Sequence, residues 1–260
     1  MVNHYESFEK ERKERIYQNG LNIDYQELSV KWVESAMRNK YVYNFDWLGR
    51  PIIQFPQDIV EVQNLIYKVR PDLVIETGIA HGGSLILSAS ILAMLDLEDA
   101  INNGNNFNPK ESNRKVLGID IDIRQHNREE IGKHFLSSRI QMLEGSSIED
   151  STISYVKKFA SSYQRILVFL DSNHTYEHVK RELQAYSSLV SVNSYCVVFD
   201  TFVENIPEDV FEDRPWGPLN NPMTAVNEFL KKNKDFIVDE EIESKLMITV
   251  APSGFLKKIS

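Results

Sequence analysis

Five short apolar runs, each closed by a carboxylate and followed by a helical stretch, constrain this chain more than any other feature of it. They are DLVIE at 72–76, KVLGID at 115–120, RIQML at 139–143 with Glu144 and Gly145 after it, RILVFLD at 165–171 and SYCVVFD at 194–200. Strands buried on both faces and separated by helices predict an α/β fold, a doubly wound and mostly parallel sheet of Rossmann-like kind. Helices are predicted over 84–95, about 128–135, 148–160, 174–189 and 221–232. The polar, Asn-rich stretch 96–114 reads as a surface loop or a frayed helix end. The tail offers two further β-like runs, 236–238 and 245–250.

Upstream of the sheet, residues 4–18 are dense in Glu, Lys and Arg, and Tyr25, Leu28, Trp32 and Ala36 recur at helical spacing. Both features predict a helical N-terminal extension. Residues 41–59 are rich in aromatics and punctuated by Pro51 and Pro56, so they read as an irregular segment with a turn at Gly49 and Arg50. Asp58, with Glu61 three residues later, reads as a capping box opening a helix that Pro71 stops. The chain divides accordingly into an extension, residues 1–57, and one α/β domain, residues 58–260.

Composition excludes several classes of function. A net charge of -9 argues against a nucleic-acid partner, which needs clustered cations. Cys196 is the one cysteine, so an internal disulfide and a Cys-based zinc site are both excluded. It lies in an apolar run and reads as core filler rather than a nucleophile. The charged N-terminal stretch has no apolar leader segment and no run has bilayer length. The expectation is a cytoplasmic protein with no membrane partner.

Ligands of open α/β sheets bind outside the carboxyl ends of the strands. There the sequence places Glu76, Thr77, Gly78, His81 and Ser84; then Asp120 and Asp122; then Glu144, Ser146 and Ser147; then Asp171, Ser172, Asn173 and His174; then Asp200 and Thr201. Carboxylates at buried strand ends are costly without partners, and five in register predict one polar crevice. The loop ETGIAHGGS lacks the G-x-G-x-x-G of a pyrophosphate site. An acid before its first glycine disfavours pyrophosphate and favours a cationic ligand, such as the sulfonium and amino group of S-adenosylmethionine. Gly78 allows close approach of that ligand. Asp120, at the end of the next strand, is placed to take ribose hydroxyls; the alternative is a plain strand-helix turn with Asp120 as a cap. The candidate donor contacts are Glu76, Thr77, Gly78, Ser84, Asp120, Asp122, Ser146, Ser147 and Asp171.

Asp171 and Asp200 close neighbouring strands and can share one Mg2+ that orients substrate oxygens. His174 can take the proton of an attacking hydroxyl, or merely hydrogen-bond a carboxylate. His178 shares its helix face, which leaves open a transition-metal pair but reads as a surface residue. His81 is a substrate contact or loop filler.

Several blocks, in one order, carry a resemblance. WLGRPIIQFPQD at 47–58, RPDLVIETGIAHGGS at 70–84, VLGIDIDIRQHNR at 116–128, LEGSS at 143–147 and LDSNH at 170–174 resemble the cephalosporin hydroxylase family over roughly residues 45–258. That family has a class I methyltransferase fold, similar to the sugar O-methyltransferases of macrolide and rhamnose modification, which use S-adenosylmethionine and Mg2+. The resemblance implies cofactor roles for Glu76, Gly78 and Asp120, a metal role for Asp171 and a base role for His174. The family closes its fifth strand with Glu-Asp, both on the metal. Here the pair is Phe199-Asp200, so either Asp200 and Thr201 supply the remaining ligands, or the metal binds weakly, or it is absent.

The implied activity is methyl transfer to a hydroxyl of a sugar or glycosylated natural product. In that activity His174 is the base, Mg2+ on Asp171 and Asp200 orients a vicinal diol, and residues 216–218 line the acceptor pocket. Residues 1–45 would cover that pocket or mediate homo-oligomer assembly. Two other classes stay open. One is an oxidoreductase using nicotinamide, or a metal on His174 and His178; the missing glycine fingerprint counts against the nicotinamide form. The other is a non-catalytic binding or assembly subunit, which Phe199 keeps open.

Overall fold

A computed structural model describes residues 4–260. Helices α1 (His4–Leu21) and α2 (Ile23–Arg38) form the N-terminal extension. Asn22 caps α2, its side chain accepting from the Tyr25 amide at 3.0 Å. Strands β1 (Phe45–Trp47) and β2 (Arg50–Ile52) then pair antiparallel. The stretch expected to be irregular is therefore a hairpin. Leu48 and Gly49, both at positive φ, form the two-residue turn that matches the twist of such a pair.

The domain that follows runs α3 (Pro56–Val69), β3 (Leu73–Thr77), α4 (Gly83–Asn103), β4 (Lys115–Asp120), α5 (Gln125–Lys133), β5 (Ile140–Glu144), α6 (Asp150–Ala160), β6 (Ile166–Leu170), α7 (Tyr176–Tyr186) and β7 (Tyr195–Val198). It ends with α8 (Pro222–Lys232), β8 (Phe236–Val238), α9 (Glu240–Leu246) and β9 (Phe255–Lys258). The seven-stranded sheet has the order β5-β4-β3-β6-β7-β9-β8. Strands β3 to β7 are parallel, and β9 lies antiparallel between β7 and β8. Strand order reverses between β3 and β6, and that switch point opens a crevice at their carboxyl ends.

Residue alternation along the strands feeds two cores. Val74, Val116, Leu167, Phe169 and Phe199 face α3 and α4. Ile75, Leu117, Val168, Cys196 and Val198 face α6, α7 and α8. Each fully buried aliphatic side chain contributes about 1.5–3 kcal/mol. Cys196 is buried and burial lifts its thiol pKa, in keeping with the core role. No helix among the described residues is long and apolar enough to cross a membrane.

Three local expectations are corrected. Pro56, with φ already helical, opens α3 two residues before Asp58, so Asp58 is not the cap. Asp58 points inward, accepting from the Thr249 hydroxyl and from the Val250 amide at 2.9 Å, while Glu61 pairs with Lys245. Second, α4 runs on to Asn103, because Asp96 and Asp99 gain Arg114, Arg139 and Arg70 as partners and Gly104 ends the helix in the left-handed region. Third, residues 245–250 form no strand. Residues 240–246 are α9, Met247 turns the chain at φ 59, and 255–258 occupies the sheet position.

Candidate active site

The crevice is built by pressing the loop after β3 against the loop after β6. A Cβ on Gly78, at φ +89, would lie 2.0 Å from the Asp171 carbonyl oxygen, so only glycine fits there. The Gly78 amide donates to Ile119 O at 2.8 Å and the Asp171 amide donates to Thr77 O at 3.0 Å, fixing both loops to the sheet. Thr77 is fully buried, its hydroxyl 3.3 Å from the Asp171 amide. Thr77 thus ties the strands together.

Glu76 is the most isolated charge of the crevice. Its Oε1 accepts from the Ser84 hydroxyl, and its Oε2 is buried without any partner. Burial pushes its pKa up to about 8 against the opposing pull of Ser84. An unpartnered carboxylate oxygen in a closed site fits a ligand that brings positive charge and N–H donors.

Beside it, Asp171, His174 and Asp200 each offer one ligand atom within 4.8 Å of the others. His174 Nε2 lies 2.8 Å from Asp200 Oδ2. Burial, then the neighbouring Asp200 charge, raises the Asp171 pKa well above the ordinary carboxylate range, partly offset by His174. Asp200 sits in the left-handed region at φ 56, a conformation an Asp tolerates at a small cost in strain. Two carboxylates and an imidazole suit a divalent cation. Mg2+ binds through one or two carboxylates and keeps several waters, so this donor set fits it.

Thr201, the third expected metal position, is not part of this cluster, and Phe199, where the family carries a ligand, faces away from it. Phe199 is buried edge-on to Phe169, with ring centroids 5.9 Å apart, on the α4 side of the sheet. Thr201 is fully buried and spends its hydroxyl on Pro252 O at 2.6 Å. His174 is the third group within reach.

The five strand-end carboxylates do not all converge. Glu144 is exposed and paired with Arg128. Asp120 Oδ2 accepts from the Ile79 amide at 2.7 Å and the Ala80 amide at 3.3 Å, and its Oδ1 accepts from the Asp122 amide at 3.2 Å. It thereby braces the glycine loop, while the Asp122 side chain is exposed. Ser146 is half-buried at the start of the β5–α6 loop. Ser147 is buried, its Oγ 3.0 Å from His178 Nε2, which lies equally close to Ser172 Oγ. His178 is therefore no surface residue. It ties the β5 and β6 loops together above Glu182, which accepts from the Ser172 hydroxyl at 2.8 Å.

A cavity of about 730 Å3 opens from this cluster, reaching His81, Trp216 and the end of α2 at Met37. His81 lines it, and its carbonyl accepts twice from Arg50 at 2.7 and 3.0 Å. Arg50 also donates to Asn127 Oδ1 at 2.8 Å, and Asn127 donates to Ala80 O at 2.8 Å. The hairpin of the extension is thus strapped onto the glycine loop. Gln54, just past the hairpin, is buried in the cavity wall that Asp171 also lines. Sequence reasoning named neither Arg50 as a clamp nor Gln54, because no short-range pattern marks contacts made so far along the chain. The Trp216 ring meets the His174 ring edge-on at 4.7 Å, and Arg214 stacks over Trp216 at 5.3 Å.

Comparison with known proteins finds one family matching most of the chain. A sequence profile described as Rhamnosyl O-methyltransferase/CmcI matches residues 39–259. A rhamnosyl O-methyltransferase of Mycobacterium bovis is 27% identical over 205 residues, covering 76% of this chain and 72% of that protein. One of Mycobacterium leprae is 25% identical over 211 residues, covering 81% of each. Among solved structures, an Mg-SAM form of cmcI superposes with a TM-score of 0.54 at 15% identity, covering 84% of this chain and 78% of that one. The last likeness is one of fold.

Proposed function

The chain belongs to the Rhamnosyl O-methyltransferase/CmcI family, and from that premise we propose that it transfers the methyl group of S-adenosylmethionine to a hydroxyl of a sugar or glycosylated natural product. The observation that carries the reading is the buried, unpartnered Glu76 oxygen beside the Asp171, His174 and Asp200 cluster, at the switch point of the sheet. A nicotinamide oxidoreductase would need phosphate-binding amides where Glu76 stands, so the acid supports the methyltransferase over that rival.

S-adenosylmethionine, when bound, supplies an electrophilic sulfonium methyl group, and Mg2+ supplies charge that favours ionisation of the acceptor hydroxyl. Glu76 would face the donor's amino group, Gly78 lets the backbone approach it, and Asp120 would take the ribose hydroxyls; Ser84 holds Glu76 in place. Asp171 and Asp200 would hold Mg2+. His174, oriented by Asp200, takes the hydroxyl proton in the transfer step. Trp216 closes the site on the acceptor side, so catalysis rests on orientation, proton removal and fixed charge.

The extension, residues 1–57, has two proposed uses. Its hairpin and the end of α2 cover the acceptor cavity. Its outer face carries exposed Tyr17, Leu21, Ile23 and Leu28, while α1 buries only Ile16, which supports pairing with a second copy. Mass by light scattering tests the pairing: a monomer that persists at high concentration removes it.

Calorimetric titration with S-adenosylhomocysteine tests the donor site, followed by methylation assays on rhamnosylated acceptors. Heat of binding in the parent and a large loss in Asp120→Ala are expected. No binding by the parent sinks the proposal.

A further inference from the structure

We propose that Gln54, carried by the N-terminal strap rather than by the sheet, is a ligand for the ammonium group of the methyl donor and shares that group with Glu76. The assignment rests on the donor site proposed above and extends it beyond the methyltransferase domain.

Two buried side-chain oxygens in this part of the molecule have no hydrogen-bond donor, Gln54 Oε1 and Glu76 Oε2. Their residues are 4% and 2% exposed, so water does not satisfy them freely. Leaving such an acceptor empty is costly, because its desolvation is not repaid. Glu76 is already anchored by its other oxygen, which accepts from Ser84, and Gln54 is buried in the cavity wall that Asp171 also lines. The free oxygens are therefore held in place.

The strap is pressed onto the turn that carries Ser84. A Cβ on Gly83 would meet Pro51 O at 2.3 Å and Ile52 Cβ at 2.7 Å. Gln54 follows two residues later and lines the same cavity wall as Gly78, Ser84 and Asp171. The side-chain oxygens left without a donor there are Gln54 Oε1 and Glu76 Oε2, with the Asp171 carboxylate nearby. A carboxylate or phosphate is repelled there. A group with positive charge and several N–H bonds satisfies both orphaned oxygens at once. The sulfonium of the methyl donor has the charge but no N–H, whereas its ammonium has both. A neutral amide also supplies its acceptor without adding a further negative charge beside Glu76, Asp171 and Asp200.

Calorimetry with two ligands isolates the contact. S-adenosylhomocysteine carries the ammonium; 5′-methylthioadenosine has the same nucleoside and lacks the whole amino-acid end. In Gln54→Met, similar in size but without the acceptor, S-adenosylhomocysteine should bind about tenfold more weakly. Methylthioadenosine should bind as it does to the parent, which also shows that the site is folded. Gln54→Ala provides the same comparison where Gln54→Met is not obtained folded. Unchanged S-adenosylhomocysteine affinity, or equal weakening of both ligands, overturns the assignment. Absence of S-adenosylhomocysteine binding in the parent is a different result, and it overturns the donor site itself together with this contact.

Discussion

His174 Nε2 and Asp200 Oδ2 stand 2.8 Å apart, so the imidazole donates to the carboxylate through one nitrogen and keeps the lone pair of Nδ1 for an incoming proton. The pairing follows from position. Asp200 closes β7, His174 lies on the loop after β6, and the two strands are neighbours in the sheet. His174→Asn keeps a polar group of similar size and loses the basic nitrogen. It should lower kcat by about 10²–10⁴ while S-adenosylhomocysteine binding stays at the parent level. Single-turnover assays beside calorimetry check this. Equal loss of turnover and of donor affinity would assign His174 to binding instead.

Asp58 sets a pH dependence of stability from outside the catalytic cluster. Burial pushes its pKa up to about 7, against the opposing bonds from Thr249 and the Val250 amide. An acid whose folded pKa is raised keeps its proton longer in the native state than in the unfolded chain. Stability is therefore full below the ordinary carboxylate pKa and is lost as pH rises towards 7. Glu76, pushed up to about 8, adds a contribution of the same sign. Asp58→Asn removes its share, so its melting temperature should fall less between pH 4 and 7 than that of the parent. Thermal melts across that range decide it, and parallel curves would refute the role given to Asp58.

Metal dependence follows from the donor set. Asp171 and Asp200 would supply two oxygens and Phe199 supplies none, so Mg2+ would be held by few protein ligands and would exchange with solvent. A chelator should abolish methyl transfer, and added Mg2+ should restore it. Asp171→Asn should raise the Mg2+ concentration needed for half-maximal rate by about tenfold or more, on the scale of losing one charged oxygen ligand. Full activity in excess chelator removes the metal from the mechanism.

The α/β order and three acids of the crevice were legible in the sequence because both are written locally. A strand buried on two faces is an apolar run, and the residue closing it faces the crevice by topology, as Glu76, Asp171 and Asp200 do. Asp58 misled for the same reason. Asp and Glu three residues apart make a capping pattern, but Pro56 starts the helix earlier and Asp58 serves a loop that arrives 191 residues later in the chain. The Asn-rich stretch hid the end of α4, whose carboxylates find their arginines on other elements. His178 and Gln54 act through partners that only the folded sheet brings near. No spacing rule reaches them.

Under the proposed layout, Trp216 would separate acceptor recognition from donor binding. Its ring meets His174 edge-on at 4.7 Å, and its face is covered by the Arg214 guanidinium at 5.3 Å. The loop that carries it is moored to the extension, where Arg38 of α2 donates to both oxygens of Asp209 at 2.9 and 3.2 Å. That ion pair is exposed and screened by solvent, so the loop is tethered loosely enough to admit an acceptor. The aromatic wall itself offers apolar contact to a sugar ring. Trp216→Ala should therefore raise the acceptor KM by about tenfold, the scale of one lost aromatic contact. The proposed donor end of the site is at Glu76 and Gly78, so S-adenosylhomocysteine affinity should not change. Steady-state kinetics at saturating donor gives the first quantity and calorimetry the second. Loss of donor affinity in this variant would place Trp216 on the donor side and contradict the layout.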